Sequence, residues 1–182
     1  PSARAMFLVS GSNGASLVGR VTDHVRSSLL AKEYTGGSPR LQAHTFADEI
    51  VALLPGRQGV ARTKIAFKVD TGRNSEIYIA DYDGHNATPV TQDNTITRDP
   101  VWVPGRRALY YMSYRGGATV ISSHDLTTGA RRKVAAYGGT SGSPAVSPDG
   151  RRVAMILSKG GSPDLYVANA DGTGLKQLTS TS

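Results

Sequence analysis

The sequence predicts a mixed fold: a small α/β domain followed by antiparallel β-propeller blades that make up part of a ring. Three observations carry this. The chain nearly repeats itself at a spacing of about 44 residues, in the range of propeller blades. From Lys64 onward the apolar residues alternate with a period of two, as in half-buried strands. Before that point, Arg40 to Leu54 carries apolar residues at three- and four-residue steps, as in a helix.

The repeat is read most easily from its last copy. Ser147-Pro-Asp-Gly150, Arg152–Leu157, Asp164–Ala168, Asp171-Gly172 and Leu175–Thr179 follow one another. One period earlier stand Val103-Pro-Gly105, Arg107–Met112, Thr119–Ile121 and Thr128-Gly129. Earlier still come Lys64–Val69, Glu76–Ala80, Asp83-Gly84 and Ala87–Thr91. Glu76 and Asp164 occupy matching places two periods apart. The second copy has strand candidates near 100–103, 107–113, 118–124 and 131–137, and the third near 144–147, 152–157, 164–168 and 175–179. The first copy has three, near 64–69, 76–81 and 87–91; its innermost strand could come from elsewhere in a longer chain. Asp-Gly and Thr-Gly pairs supply the tight connections, since glycine takes positive φ at little cost and the Asp side chain bonds nearby backbone.

Residues 1–62 lack the repeat. Ala5–Val9 is a short strand candidate, Ser10–Gly14 a turn or loop, and Ser16–Arg26 is open between strand and helix. Gly36–Pro39 breaks the chain. In the helix that follows, Leu41, Phe46, Ile50, Leu53 and Leu54 form the expected buried stripe, with Asp48 and Glu49 facing away. Pro55-Gly56 stops it. The expected domains are therefore 1–62 and 63–182.

Composition narrows the classes. Gly 21 and Pro 9 together make about 16% of the 182 residues, above an ordinary value of roughly 12%, as turn-rich β structure requires. The net charge is +7, but the paired basic residues Arg106-Arg107, Arg131-Arg132-Lys133 and Arg151-Arg152 do not interleave with aromatics, so no nucleic-acid partner is expected. The charge reads first as a soluble basic surface, with an acidic protein partner or anionic envelope polymer left open. With no cysteine, disulfides and thiolate metal sites are excluded. No apolar run reaches the 18 residues of a membrane span. Residues 1–9 do not read as a signal peptide, and a targeting segment could have been removed.

Several stretches together resemble the TolB family of the Tol–Pal system. They are Ala43–Ile50, Gly59–Phe67, Asp81-Tyr-Asp-Gly-His-Asn86, Ser143–Gly150 and Asp164–Asn169. The resemblance covers about 20–182 and implies the end of an N-terminal α/β domain plus the first three blades of a six-bladed propeller. It further implies a non-catalytic periplasmic protein that binds a peptidoglycan-associated lipoprotein and other Tol-system proteins through propeller loops and the central opening. The family segment that engages an inner-membrane partner would precede this chain. Where the family carries His and Asn before one Ser-Pro-Asp-Gly, this chain has Thr140 and Ser141. One period earlier the same turn holds Thr97-Arg-Asp-Pro100. The expected partner-binding set is Tyr82, His85, Asn86, Arg98, Asp99, Thr140 and Ser141. Three open blades leave strand edges uncovered, so self-association is also expected.

Chemistry is expected to be absent. His24, His44, His85 and His124 lie too far apart in sequence for paired zinc ligands. Asp81, Asp83, Asp149 and Asp171 read as turn residues of separate blades, and no calcium-loop spacing is present, so no metal or other cofactor is expected. Ser143 and Ser147 precede Pro and neither sits in Gly-x-Ser-x-Gly. Trp102 reads as blade packing, and His44 as a packed or hydrogen-bonded residue. The alternative from another class is the non-catalytic propeller of a prolyl-oligopeptidase-like serine peptidase. Polysaccharide binding is a third possibility, although the aromatics form no visible stripe.

Overall fold

The computed structural model describes residues 7–181. They fall into two compact units: residues up to Lys64 with Asp81–His85, and Ile65–Ala80 with the residues from Asn86 onward. Of the expected strand Ala5–Val9, residues 5–6 lie outside the described residues.

The first unit is a three-stranded antiparallel sheet, β1 (Phe7–Asn13), β2 (Leu17–Asp23) and β3 (Ser28–Tyr34) in that order, with one helix, α1 (Pro39–Ala52). Two expectations change here. Ser10–Asn13 is strand, paired from Ser10–Arg20 to Asn13–Leu17, and the chain reverses only at Gly14–Ser16. The open stretch 16–26 resolves into β2. β3 had no sequence signature because most of its residues are exposed on both faces, so its apolar residues do not alternate.

Helix α1 starts where Ser38 accepts a hydrogen bond from the Leu41 amide at 3.2 Å, with Pro39 in the first turn. Its buried stripe is narrower than expected. Phe46 is buried and Ile50 packs beside it, whereas Leu41, Leu53 and Leu54 are exposed. Asp48, expected outside, is buried. Its Oδ1 accepts from the Ala61 amide at 2.6 Å, and its Oδ2 from the Arg62 amide and Nε at 3.2 and 2.8 Å. Burial opposes ionisation of this carboxyl, but those donors outweigh it and hold the pKa below the usual carboxylate range. The segment at Ala61 and Arg62 is thus tied to the helix by a charge rather than by leucines. Under Phe46 lies Gly19, where a Cβ would fall 2.7–2.8 Å from the ring; its cross-strand partner Gly11 completes a flat seat for the aromatic.

The second unit holds three sheets. The first is β4 (Lys64–Asp70), β5 (Ser75–Asp81) and β6 (Thr88–Pro89), three strands as expected. The second is β7 (Thr97–Trp102), β8 (Ala108–Ser113), β9 (Val120–Asp125) and β10 (Arg131–Ala135). The third is β11 (Ser141–Val146), β12 (Arg152–Leu157), β13 (Asp164–Asn169) and β14 (Lys176–Gln177). All strands within these sheets run antiparallel in chain order, the pattern of consecutive blades.

The core explains why β8 reads as apolar throughout. Leu109 and Tyr111 point into a cluster with Ile77 of the first blade, joined by half-buried Trp102. Tyr110 and Met112 point into the opposite cluster with Val153, Met155, Leu157 and Tyr166 of the third blade. A middle blade is buried on both faces, so alternation in direction does not become alternation in polarity. At the rim, Gly172 (φ 89°) abuts the middle blade, and a Cβ there would overlap the Val134 carbonyl. Beside it the Tyr110 hydroxyl donates to Ala170 O at 2.5 Å. Gly172→Ala therefore combines backbone strain with a clash against main chain. It is expected to lower stability by about 1–3 kcal/mol in urea unfolding, and an unchanged midpoint would contradict this packing.

Candidate functional site

At the start of β5 in the first blade and of β13 in the third stands an acid. Glu76 Oε2 accepts from the Thr91 hydroxyl at 2.5 Å and Oε1 from the Asn94 amide at 2.7 Å. Thr91 in turn accepts from the Ile77 amide at 2.9 Å. Two periods on, Asp164 Oδ1 accepts from the Thr179 hydroxyl at 3.1 Å and the Thr181 amide at 2.8 Å, and Thr179 accepts from the Leu165 amide at 2.9 Å. The acid thus holds the segment leaving each blade. The middle blade has Val120 and Ala135 at the matching places. There the acid tie is absent, and the Thr119 hydroxyl, one period after Ser75, accepts from the Ser141 amide at 2.6 Å, as Ser75 accepts from the Thr97 amide at 3.2 Å, and donates to Gly139 O at 3.1 Å.

The segment leaving the first blade leads into β7, which Ser75 fixes. Its hydroxyl donates to Thr97 O at 2.8 Å, and the Thr97 hydroxyl donates back to Ser75 O at 2.7 Å. Both side chains are buried, so these bonds set the depth at which the inner strand begins.

Just inside that entry, two inner strands bulge at equivalent places. The pairing register shifts between Arg98 and Val101 in β7 and between Gly142 and Ala145 in β11. Asp99 (φ 56°) and Ser143 (φ 49°) adopt left-handed backbone there, each immediately before a proline. Non-glycine residues in this region cost on the order of 1–3 kcal/mol and concentrate at functional sites. The bulges are linked, because Asp99 Oδ2 accepts from the Ser143 amide at 3.3 Å. Arg98 is exposed, with Nε 3.8 Å from the same carboxylate oxygen.

The expected recognition residues are thus distributed. Arg98, Asp99 and Thr140 lie at the entry end of the inner strands, Arg98 and Thr140 exposed and Asp99 partly so. Ser141 does not belong to an accessible set: it is fully buried, because its amide is held by Thr119 and its side chain turns inward. Tyr82 and His85 belong instead to the first unit, in the turn after β5. That turn closes through Asp81 N to His85 O and Gly84 N to Asp81 O, both 2.8 Å, and Asn86 (φ 55°) follows it, exposed. Arg40 pairs with Asp83 and reaches Asp81 at 3.4 Å; Lys64 also pairs with Asp81. His44 lies 3.4 Å from Asp83 and meets the exposed Tyr82 ring edge-on at 5.6 Å. Burial opposes ionisation of Asp83, but the His85 amide and Arg40 outweigh it and depress its pKa. Sequence reasoning missed the Arg40 and His44 partners, which come from the distant helix. It also missed the threonine partners of Glu76 and Asp164, although both acid and threonine recur two periods apart.

The hydroxyls near Ser-Pro sequences serve turns. Ser147 donates to Asp149 Oδ1 at 2.6 Å, and the Arg151 amide donates to the same oxygen at 3.0 Å. Among the described residues no group of three His, Asp or Glu could hold a metal ion, and no helix is long and apolar enough to cross a membrane.

An α/β unit followed by three successive sheets of three, four and four strands, the first and third with acid-and-threonine ties, defines a protein of the propeller class. The TolB beta propeller domain family matches residues 51–182, and the chain belongs to it. It is 34% identical over 161 residues to a TolB homolog of Chlorobaculum tepidum, covering 87% of this chain and 37% of that protein. It is 36% identical over 150 residues to the Tol-Pal system protein TolB of Francisella tularensis, covering 77% of this chain and 34% of that protein. The chain thus spans about a third of the length of these relatives. The crystal structure of TolB from Acinetobacter baumannii superposes over 98% of this chain and 48% of its own, with a TM-score of 0.84 at 24% identity, a likeness of fold. Dipeptidyl peptidase 4 of Porphyromonas gingivalis, at 14% identity and a TM-score of 0.53, shares the fold alone.

The Asp164 tie has a pH signature. The Thr181 amide foremost, then the Thr181, Thr179 and Gln177 side chains, lower its pKa against burial. A depressed folded-state pKa means the unfolded chain binds the proton more readily, so this stabilisation is complete above about pH 4 and is lost as pH falls through the folded value. Asp164→Asn is expected to be less stable than the parent at pH 7, with the gap narrowing in urea unfolding at pH 3. A gap that widens in acid would contradict the role.

Proposed function

We propose that this chain is part of a non-catalytic periplasmic scaffold of the Tol–Pal envelope system, and that it recognises a peptidoglycan-associated lipoprotein. Residues 1–62 act in this reading as the end of the small α/β domain and 63–182 as a partial propeller. The names carried by the matched relatives support the assignment to that system. The observation that carries recognition is the pair of strained, linked bulges at Asp99 and Ser143, next to exposed Arg98 and Thr140. They present an exposed charged side chain and an exposed hydroxyl where partner loops of a propeller converge. The turn bearing Tyr82, His85 and Asn86 adds a second polar contact surface. The reading needs no cofactor.

Immobilised chain is expected to capture purified lipoprotein, and a Tyr82→Ala, His85→Ala, Arg98→Ala variant to lose about tenfold in affinity. Unchanged capture by a well-folded triple variant would overturn this recognition set. Self-association belongs to the same proposal. One face of β12 and β13 leaves Ala154, Ile156, Leu165 and Val167 only half-buried, and Ile65 on β4 of the first blade is exposed. Light scattering is expected to report a dimer or larger species; a strict monomer at high concentration would count against it.

A further inference from the structure

The middle blade has one face that does not follow the apolar rule for neighbouring blades. The register places Tyr111, Ser122 and Lys133 side by side across β8, β9 and β10, and Leu109, His124 and Arg131 likewise. The inner part of this face, Leu109 and Tyr111, packs on the first blade. The outer part is polar, and opposite it the first blade's last strand, β6, is only two residues long. The result is an open cleft of about 430 Å³, lined among others by Asp93, Ser113, Arg115, Ser122, Arg131 and Lys133. Everything that forms it lies in the second unit.

The charge in the cleft is unbalanced. Arg115, Arg131 and Lys133 line it together with one carboxylate, Asp93. Arg131 donates through Nη1 to Asp93 Oδ1 at 2.8 Å and through Nη2 to Val90 O at 3.0 Å. Arg115 stands 3.8 Å from that same carboxylate oxygen. Among the described residues, Lys133 has no carboxylate within 4.0 Å. Burial first, then the Arg131 guanidinium, disfavours protonation of the neighbouring His124. Asp93 and Arg131 already show that a carboxylate fits the wall of the cleft. A volume of this size holds a ligand of many atoms rather than a lone small ion.

We infer that this cleft, between the polar face of the middle blade and the crossover that carries Asp93, binds an acidic peptide segment, whose carboxylates pair with Arg115 and Lys133. Guanidinium groups hold carboxylates through two parallel hydrogen bonds. This site is separate from the bulges and the turn assigned above to lipoprotein recognition.

The probe is hexaglutamate, titrated calorimetrically into the chain at low salt. Binding is expected, and it is expected to weaken about tenfold in the Arg115→Ala, Lys133→Ala double variant, whose substituted side chains are exposed and leave the fold intact. Asp93→Asn removes the internal competitor and is expected to tighten binding severalfold. Arg151→Ala with Arg152→Ala removes the same charge from another surface and is expected to leave binding unchanged. Equal weakening by that control pair would reduce the effect to net charge and overturn the site. Full displacement of the peptide by equimolar inorganic phosphate would overturn it as a peptide cleft. Absence of hexaglutamate binding to the parent chain would overturn it outright.

Discussion

A carboxylate buried at the start of a strand cannot be left without donors, and in this chain that requirement directs the path between blades. Glu76 and Asp164 each collect a threonine hydroxyl and a backbone amide from the segment that leaves the outer strand. The segment is thereby pulled back toward the inner end of its own blade, from which the next inner strand can begin. Without such a tie, a crossover of this kind would be held mainly by packing of small side chains. The middle blade carries valine at the acid position and lacks this tie; its crossover is held by the Thr119 hydroxyl on the Ser141 amide, the counterpart of Ser75 on the Thr97 amide one period earlier.

The two kinds of polar fastening have different reach. The acid ties act within one blade and fix its return path. The Asp99 carboxylate acts across blades and reaches the amide of the bulged residue one period later. Both bulges place a left-handed, non-glycine residue before proline, a position where sterics favour extended backbone instead. The strain is tolerated because pairing with β8 and with β12 resumes beyond each bulge.

Much of this was legible in the sequence because the repeat is strict in register. The second strands of the three blades begin at Lys64, Ala108 and Arg152, and the outer strands fall near Thr88, Arg131 and Lys176, so one spacing located most elements. Glycine and aspartate marked the turns that Asp149 and Asp171 do close. What escaped was anything decided by partners distant in sequence. The burial of Asp48 depends on the chain at Ala61 and Arg62, and the burial of Ser141 on Thr119. Exposed Leu41, Leu53 and Leu54 follow the helical period as well as Phe46 does, and periodicity alone cannot say which of them meets a sheet. β3 was invisible because a strand with both faces wet has no apolar rhythm.

The division between ties within a blade and ties across blades has a consequence for how such a chain can grow. A duplicated segment of one period arrives with its own closure already encoded, since acid and threonine lie inside the copied stretch. To join its neighbour it needs matching apolar faces and a carboxylate that reaches the bulged amide one period on. Arrays of this type can therefore lengthen, shorten or exchange members by recombination at the crossovers wherever those faces match.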